Sequence, residues 1–339
     1  MILATTNLRA VPLASLGIGA LLLRGRDARA DNWCNQAVRN ARFMLSLFYP
    51  DGTYTEGVGY ASATIRHLVG FLEAHQRADG SIRWADEANF SGMIRYILTL
   101  QAGLQADGTP DVVNFSDARR SSYFAAPAWI ARQLDGTPEA GIAQFAVERV
   151  SSSGSFLDFL WVEPDRPLSF PPVSYQNVRL DNNWVACRTG WAADDSVVAF
   201  RSGGPSNHEH ADRNSVFFKA FGERLLTDHP GASYDWRHPK WLLRLTEAHN
   251  AVLVNGKGHQ YHNGEEGTNP SLAEAEIVRF VDQGDRVWWT SDATQAYAMM
   301  NDAVTRIRRT VLFSKPDIVV LLDEVEASAQ VAASARFFP

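Results

Sequence analysis

Apolar residues between positions 7 and about 162 recur at a spacing near 3.6, which is the periodicity of an amphipathic helix. The pattern predicts helices over 32–48, 60–75, 90–104 and 123–134. Clusters of Pro, Gly and Asp interrupt the pattern at 50–52, 79–80 and 107–110, where turns are expected. Consecutive helices joined by short connections form antiparallel hairpins, so the first half of the chain is expected to be helical.

The pattern changes after residue 164, where short runs rich in Val, Phe, Trp and Thr replace the helical spacing. These runs predict β-strands over 197–201, 215–221, 251–255, 275–281, 286–290, 307–314 and 318–325. Helices followed by strands indicate an α+β, multidomain chain. We therefore predict a helical domain over 1–165 and an antiparallel β-sandwich over 166–339.

The composition agrees with a folded protein and restricts its partners. Hydrophobic residues make up 45% and charged residues 21% of the 339 residues, a balance typical of globular proteins. The formal net charge is -6, and no cluster of Lys and Arg could neutralise a phosphate backbone, so nucleic acid is not an expected partner. Cys34 and Cys187 have neither disulfide-framework nor thiolate-zinc spacing, so a metal would have to be held by His and carboxylates.

The apolar run at 11–23 is too short to span a bilayer, so no membrane span is expected. The small-residue sequence Ala28-Arg29-Ala30 follows it and has the form of a signal-peptide cleavage site. Against a signal peptide, Arg9 is the only basic residue before the run, and Pro12 lies inside it. Two interpretations stay open: a signal peptide, or a buried helix whose preceding neighbours belong to a longer chain.

Histidines are concentrated in the β-rich half, where seven of the nine lie between residues 208 and 262. His208, His210 and Asp212 stand at alternate positions, so in an extended strand their side chains would share one face. Asp228 ends a later strand-like run, and His249 precedes the next one. Imidazole and carboxylate groups suit zinc, which proteins commonly hold with three ligands. The pattern therefore indicates a metal or catalytic centre in this half.

A second candidate lies in the helical half, where a Gly-rich turn at 51–60 leads into a predicted helix. The turn places Tyr60 near the helix start, where the helix dipole lowers the cost of negative charge on a phenol. The alternative role for such a tyrosine is packing in a half-buried position. Asn7 precedes the apolar run and, taken alone, is typical of a helix N-cap.

Together these residues resemble the heparinase II/III-like polysaccharide lyases. Four stretches carry the resemblance in order along the chain: 6–11, 51–60, 208–212 with 222–228 and 231–234, and 249–256. The resemblance covers nearly the whole chain and implies an (α/α) toroid followed by an antiparallel β-sandwich. It also implies that the toroid here lacks its first helices, because the family's catalytic Asn usually lies deep in that domain.

The resemblance implies a role for each matched residue. Asn7 would neutralise the carboxylate of a uronate, Tyr60 would donate a proton to the leaving glycosidic oxygen and could also abstract one, and His208 would act as the base. Three further residues would hold a zinc ion with a structural rather than a catalytic role: His210, Asp228 and His249.

Two positions leave parts of this scheme open. Many members carry a His directly after or near the first Asn, and Leu8 cannot neutralise charge in that way. Asp212 matches an acidic position of the motif, and two roles are open for it: hydrogen bonding a strand, or orienting His210.

The resemblance implies an enzyme that cleaves an acidic polysaccharide or oligosaccharide by β-elimination, in the periplasm or outside the cell. A toroid without its first helices would expose apolar surface, which favours aggregation or association, so a homo-oligomer is one expected outcome.

Two other functions compete with the lyase. The HxHxD spacing of residues 208–212 resembles the first metal motif of zinc-dependent hydrolases, although Arg213 follows it in place of a second-site His. A non-catalytic carbohydrate-binding protein would line its cleft with some of the ten tryptophans, among them Trp33, Trp84, Trp129, Trp236 and Trp241.

Overall fold

The structure is a computed structural model that describes residues 6–120, 126–150, 160–259 and 271–339. The chain divides into two compact units. The first unit consists of Met1–Leu98 and Ser122–Pro171, and the second of Thr99–Ser121 and Pro172–Pro339. The domain boundary predicted between residues 165 and 166 stays a prediction. In the structure, the second unit also includes one earlier segment, Thr99–Ser121.

Helices form most of the described part of the first unit, as the 3.6-residue spacing predicts. They are α1 (Ala10–Leu23), α2 (Ala30–Leu45), α3 (Val58–Asp79), α4 (Phe90–Thr99), α5 (Pro127–Gln133) and α6 (Glu139–Val150). A short 3-10 helix, Asn7–Arg9, precedes α1, which packs against α2 and α3. Gly17 permits this packing, because a Cβ there would lie 2.3 Å from the ring of Phe71 in α3. Among the described residues, no helix has the length and apolar character needed to cross a membrane.

The helix predicted over 90–104 is wrong at its C-terminal end. Helix α4 stops at Thr99, and the chain continues as strand β1 (Gln101–Leu104), which pairs with β2 (Pro110–Val112). Nη2 of Arg188 donates to the carbonyl oxygens of Thr99 and Gln101 at 2.7 and 2.6 Å. These carbonyls therefore accept hydrogen bonds from a side chain and not from the next turn of a helix. The start of the helix predicted over 123–134 lies outside the described residues, and its described part begins at Pro127.

Two antiparallel sheets form most of the second unit. One sheet has the order β3-β4-β5-β6-β7 and the other β12-β11-β10-β9, while β8 pairs with β13. The strands are β3 (Asn177–Arg179), β4 (Val185–Arg188), β5 (Val197–Arg201), β6 (Ser215–Ala220), β7 (Glu223–Leu226), β8 (Val252–Val254), β9 (Glu276–Asp282), β10 (Arg286–Asp292), β11 (Val304–Ser314), β12 (Ile318–Ala327) and β13 (Ala333–Ala335). A short helix, α7 (Thr294–Ala298), connects β10 to β11.

The two large sheets enclose one apolar core. Phe200 and Phe218 from the first sheet pack with Trp289, Val311 and Phe313 from the second, all of them buried. Burial alternates along β10 and β11, so one face of each of these strands points into this core, whereas β4, β5 and β6 are buried along their whole length. The prediction of an α+β chain with an antiparallel β-sandwich is therefore confirmed, and all seven predicted strands lie where the β-rich runs placed them.

Buried polar contacts attach Thr99–Ser121 to the rest of the second unit. Asp111 accepts from Nζ of Lys219 at 3.0 Å and pairs with Arg224. Nδ2 of Asn114 donates to the carbonyl oxygen of Asp228 at 2.9 Å. These contacts bring residues 111–117 alongside the histidine-rich loops.

Candidate active site

Three side chains predicted to hold a metal meet in the interior of the second unit. His210 lies in the loop after β5, Asp228 follows β7, and His249 precedes β8. Each offers one ligand atom, and these atoms lie within 4.8 Å of one another. All three residues are at most 1% exposed. The fold thus brings together residues that are up to 39 positions apart in the sequence, and we call this set the buried triad.

The triad has polar atoms that lack a hydrogen-bond partner in the described part of the chain. They are Nδ1 of His210, Oδ2 of Asp228 and Nε2 of His249. Each buried polar atom without a hydrogen-bond partner lowers the free energy of unfolding by about 1–3 kcal/mol. Three such atoms in one cluster therefore indicate a single group that binds all of them. Two imidazole nitrogens and a carboxylate oxygen match the donor set of a zinc ion. The residues therefore fit a metal.

Electrostatics within the triad favour a positive charge. Burial lowers the pKa of His249, but the carboxylate of Asp228, with Oδ1 2.7 Å from Nδ1 of His249, outweighs it and raises that pKa above its usual value. The same field that favours a proton on His249 would favour a bound cation.

Residues 208–212 do not form the extended strand that the alternating pattern suggested. His208 lies in a turn with φ of 55°, and the next strand begins only at Ser215. Asp212 accepts from the backbone N–H of Ser116 at 2.9 Å and lies 3.2 Å from Nε of Arg201. His208, His210 and Asp212 therefore do not share one face, because buried contacts with other segments determine the course of the loop.

Asp212 holds Ser116 and a buried arginine in place. Burial raises the pKa of Asp212, but Arg201, His249, His210 and Arg213 together bring it below its usual value. The contact with Ser116, which lies outside the strands, shows that this carboxylate anchors a segment from the first half of the chain. The two roles that the sequence left open for Asp212 stay predictions.

His208 is buried and lies between an amide and a phenol. Nδ2 of Asn207 is 2.8 Å from Nδ1 of His208. An amide can present either its nitrogen or its oxygen, so this contact is compatible with a proton on either ring nitrogen. The ring of Tyr234 meets that of His208 edge-on, with 6.2 Å between centroids.

Asp117 is a residue that the sequence motifs did not indicate. Its Oδ1 lies 2.9 Å from Nε2 of His210, and its Oδ2 accepts from the hydroxyl of Tyr234. Nη2 of Arg244 lies 2.8 Å from Oδ1. Burial raises the pKa of Asp117, but hydrogen bonds and charge from His210, Arg244 and Tyr234 bring it below its usual value. No local spacing signals this role, because Asp117 is 93 residues from His210.

Asn7 and Tyr60 lie in the first unit, and each is half-buried. Asn7 is the first residue of the 3-10 helix before α1, and the N-cap positions of the 3-10 helix and of α1 are Thr6 and Arg9, so the N-cap role of Asn7 is not observed. Tyr60 is the third residue of α3, near the helix start, as predicted. The carboxylate of Glu56 accepts from the backbone N–H of Asn7 at 2.9 Å and from the hydroxyl of Tyr54 at 3.0 Å. Glu56 thus ties the segment of Asn7 to the turn that leads into α3.

The geometry weakens both competing functions. The buried triad uses only His210 from the HxHxD motif, so the three motif residues do not act as one metal site. Three of the tryptophans proposed to line a carbohydrate-binding cleft are core residues: Trp84, Trp129 and Trp241. Trp236 is 48% exposed and Trp33 is half-buried.

Comparison with known families decides the relationship. The family model described as heparinase II/III-like, C-terminal, matches residues 167–338, about half of the chain. The chain belongs to the heparinase II/III-like family. The match includes His208 and the whole buried triad. Among the curated proteins, none matches the sequence.

Solved structures of two heparinase-type enzymes share the fold of this family member. A heparinase III gene product has a TM-score of 0.65 at 15% identity, covering 95% of this chain and 46% of its own. A heparan sulfate lyase from Pedobacter heparinus has a TM-score of 0.60 at 14% identity, covering 94% of this chain and 45% of its own. The chain therefore spans about half the length of these structures.

Proposed function

We propose that this chain belongs to a polysaccharide lyase that cleaves a uronate-containing acidic glycan by β-elimination. The observation that carries the proposal is the family match over residues 167–338. The name of one structural neighbour, a heparan sulfate lyase, indicates an acidic polysaccharide as the class of substrate.

The chemistry requires a base, a proton donor and a partner for a carboxylate. A base removes the proton α to the uronate carboxylate, and the resulting electron pair forms a carbon–carbon double bond. The bond from the β carbon to the glycosidic oxygen breaks, and that oxygen takes a proton. Negative charge grows on the carboxylate during the first step, so preorganised donors directed at it stabilise the transition state by about 3 kcal/mol each.

Asn7, Tyr60 and His208 have the side chains that these steps require. We assign charge neutralisation to the amide of Asn7, proton donation to the hydroxyl of Tyr60, and proton abstraction to the imidazole of His208. Tyr60 could also serve as the base once ionised. A positioned acid or base contributes about 10²- to 10⁴-fold to the rate. The Asn7 backbone bond to Glu56 supports this assignment, because it keeps the Asn7 segment at the turn before Tyr60.

We propose that the buried triad holds a structural zinc ion. His210, Asp228 and His249 supply two nitrogens and one oxygen, and their unpartnered atoms support the assignment. All three are sealed from solvent, which favours a structural role because a catalytic zinc keeps a position open to substrate. When bound, zinc would add folding free energy by joining the loops after β5 and β7 to the start of β8.

We infer that the protein acts in the periplasm or outside the cell, where a polymeric glycan is accessible. We also propose that the chain associates into a homo-oligomer. Light scattering during size-exclusion chromatography would test this. A monomer over the micromolar range would contradict it.

Ultraviolet absorbance tests the reaction, because β-elimination leaves an unsaturated uronate that absorbs there. The protein is incubated with heparan sulfate, hyaluronan, alginate and a pectic polysaccharide, and a rise in absorbance is expected with one class. New reducing ends without this absorbance would support the hydrolase instead. Binding with neither signal would support the non-catalytic carbohydrate-binding protein.

A further inference from the structure

Asp117 connects the buried triad to groups outside it. Its side chain is 7% exposed, and its two carboxylate oxygens have different partners. Oδ1 faces Nε2 of His210 at 2.9 Å, and Oδ2 accepts from the hydroxyl of Tyr234, a residue 41% exposed. A single carboxylate therefore joins a buried metal-ligand candidate to a tyrosine at the surface.

The contact with His210 decides which ring nitrogen is available to a metal. A carboxylate can only accept, so Nε2 of His210 must carry a proton. The lone pair for a metal is then on Nδ1, the buried atom without a partner in the described residues. Carboxylates commonly orient metal-bound histidines in this way and raise their basicity.

The same residue also holds the backbone of His208. The N–H of Asp117 donates to the carbonyl oxygen of His208 at 3.3 Å. His208 has a φ of 55°, which is unfavourable for a side chain with a Cβ and persists only when neighbouring contacts support it. Its ring meets that of Tyr234, whose hydroxyl is bound by Asp117. Asp117 thus contacts His208 through its backbone and reaches the ring through Tyr234.

We propose that Asp117 is a positioning residue that directs Nδ1 of His210 toward the metal and couples the buried triad to the surroundings of His208. This inference rests on the zinc site of the proposed function. It assigns a task to a carboxylate that comes from the Thr99–Ser121 segment, outside the region matched by the family model.

Zinc affinity of the purified full chain, measured by competition with a chromophoric chelator, tests the proposal. Asp117→Asn and Asp117→Ala are each expected to weaken Zn²⁺ binding by about 10- to 100-fold, with alanine the weaker binder. Tyr234→Phe removes the hydroxyl but leaves the bond to His210, so its affinity should stay within about threefold of the parent.

Asp111→Asn is the matched control for lost stability. Asp111 is a buried carboxylate of the same segment, and its partners are Lys219 and Arg224 rather than His210. This variant should melt at a lower temperature and bind Zn²⁺ as the parent does. Parental affinity in Asp117→Asn, or equal loss in Asp117→Asn and Asp111→Asn, would overturn the proposal.

A second measurement keeps the inference separate from the zinc assignment. Ring-nitrogen NMR of ¹⁵N-histidine protein, stripped of metal, should show a protonated Nε2 for His210 in the parent and in Asp111→Asn. In Asp117→Ala that signal should move toward a mixture of tautomers. A parent that binds no zinc but shows this tautomer shift would remove the zinc assignment and leave the positioning role. An unchanged tautomer in Asp117→Ala would refute the positioning role itself.

Discussion

Nδ1 of His249 lies 2.7 Å from Oδ1 of Asp228, in a region where both residues are at most 1% exposed. The remaining oxygen of Asp228 and the remaining nitrogen of His249 have no partner among the described residues. In a buried ion pair with no further function, every polar atom would have a hydrogen-bond partner. In this pair, Oδ2 of Asp228 and Nε2 of His249 are available to bind a third group. Nδ1 of His210 completes the set.

Substitution of a triad histidine should therefore remove bound zinc. His210→Ala is expected to lower the zinc content per chain by about tenfold or more, because a lost ligand cannot be replaced in a sealed site. Elemental analysis of protein purified without added zinc measures this content. His238→Ala is the matched control, since His238 is exposed and lies outside the triad. Full zinc content in His210→Ala would remove this residue from the ligand set.

Removal of one hydroxyl tests the catalytic assignment in the first unit. Tyr60→Phe should reduce the rate of formation of unsaturated uronate by about 10²- to 10⁴-fold, because the leaving oxygen then lacks its proton donor. Tyr49→Phe makes the same change at an exposed position of the same unit and should leave the rate unaltered. If both variants kept the parental rate, Tyr60 would have no catalytic role.

The turn that leads toward Tyr60 requires a glycine at position 52. Gly52 has a φ of 85°, and a Cβ there would lie 1.9 Å from the carbonyl carbon of Gly92. Gly52→Ala should lower the free energy of unfolding by about 2–4 kcal/mol through backbone strain and this clash. Gly19→Ala, in α1 with no atom within 4 Å of the new Cβ, should instead raise stability by about 0.5–1 kcal/mol. Urea denaturation compares the two variants, and equal midpoints would contradict the argument.

Asp292 should make stability depend on pH. Burial raises the pKa of Asp292, but its bonds to Thr294 and Arg308 outweigh burial, so the pKa in the folded state lies below its usual value. A lowered pKa means that the carboxylate stabilises the fold above about pH 4 and loses this effect as the pH falls further. Asp292→Asn should cost about 1 kcal/mol at pH 7 and much less near pH 3.

Thermal unfolding of the parent and Asp292→Asn across this pH range measures the difference. Asp302→Asn serves as the control, because Asp302 is exposed. A difference between parent and Asp292→Asn that does not change with pH would show that the charge of Asp292 is irrelevant to stability.

Much of the fold follows from local patterns. The strand predicted over 197–201 coincides with β5, Val197–Arg201, because a short run of apolar and β-branched residues, buried along its whole length, acts within a few positions. The helix predicted over 60–75 lies inside α3 for the same kind of reason. The error at 90–104 has a different origin, since a distant guanidinium, that of Arg188, binds the carbonyls where the helix stops.

The candidate site likewise has features that the sequence predicted and features that depend on contacts between distant segments. The resemblance to the family singled out His210, Asp228 and His249, whereas the local HxHxD spacing alone pointed to His208, His210 and Asp212. The turn at His208, the anchoring of Asp212 on Ser116 and the bond from Asp117 to His210 depended on the tertiary structure. Each of these contacts joins segments about 90 or more residues apart or follows from such a contact. An unpartnered polar group is costly in a buried site, and no local pattern specifies which distant partner the packing will supply.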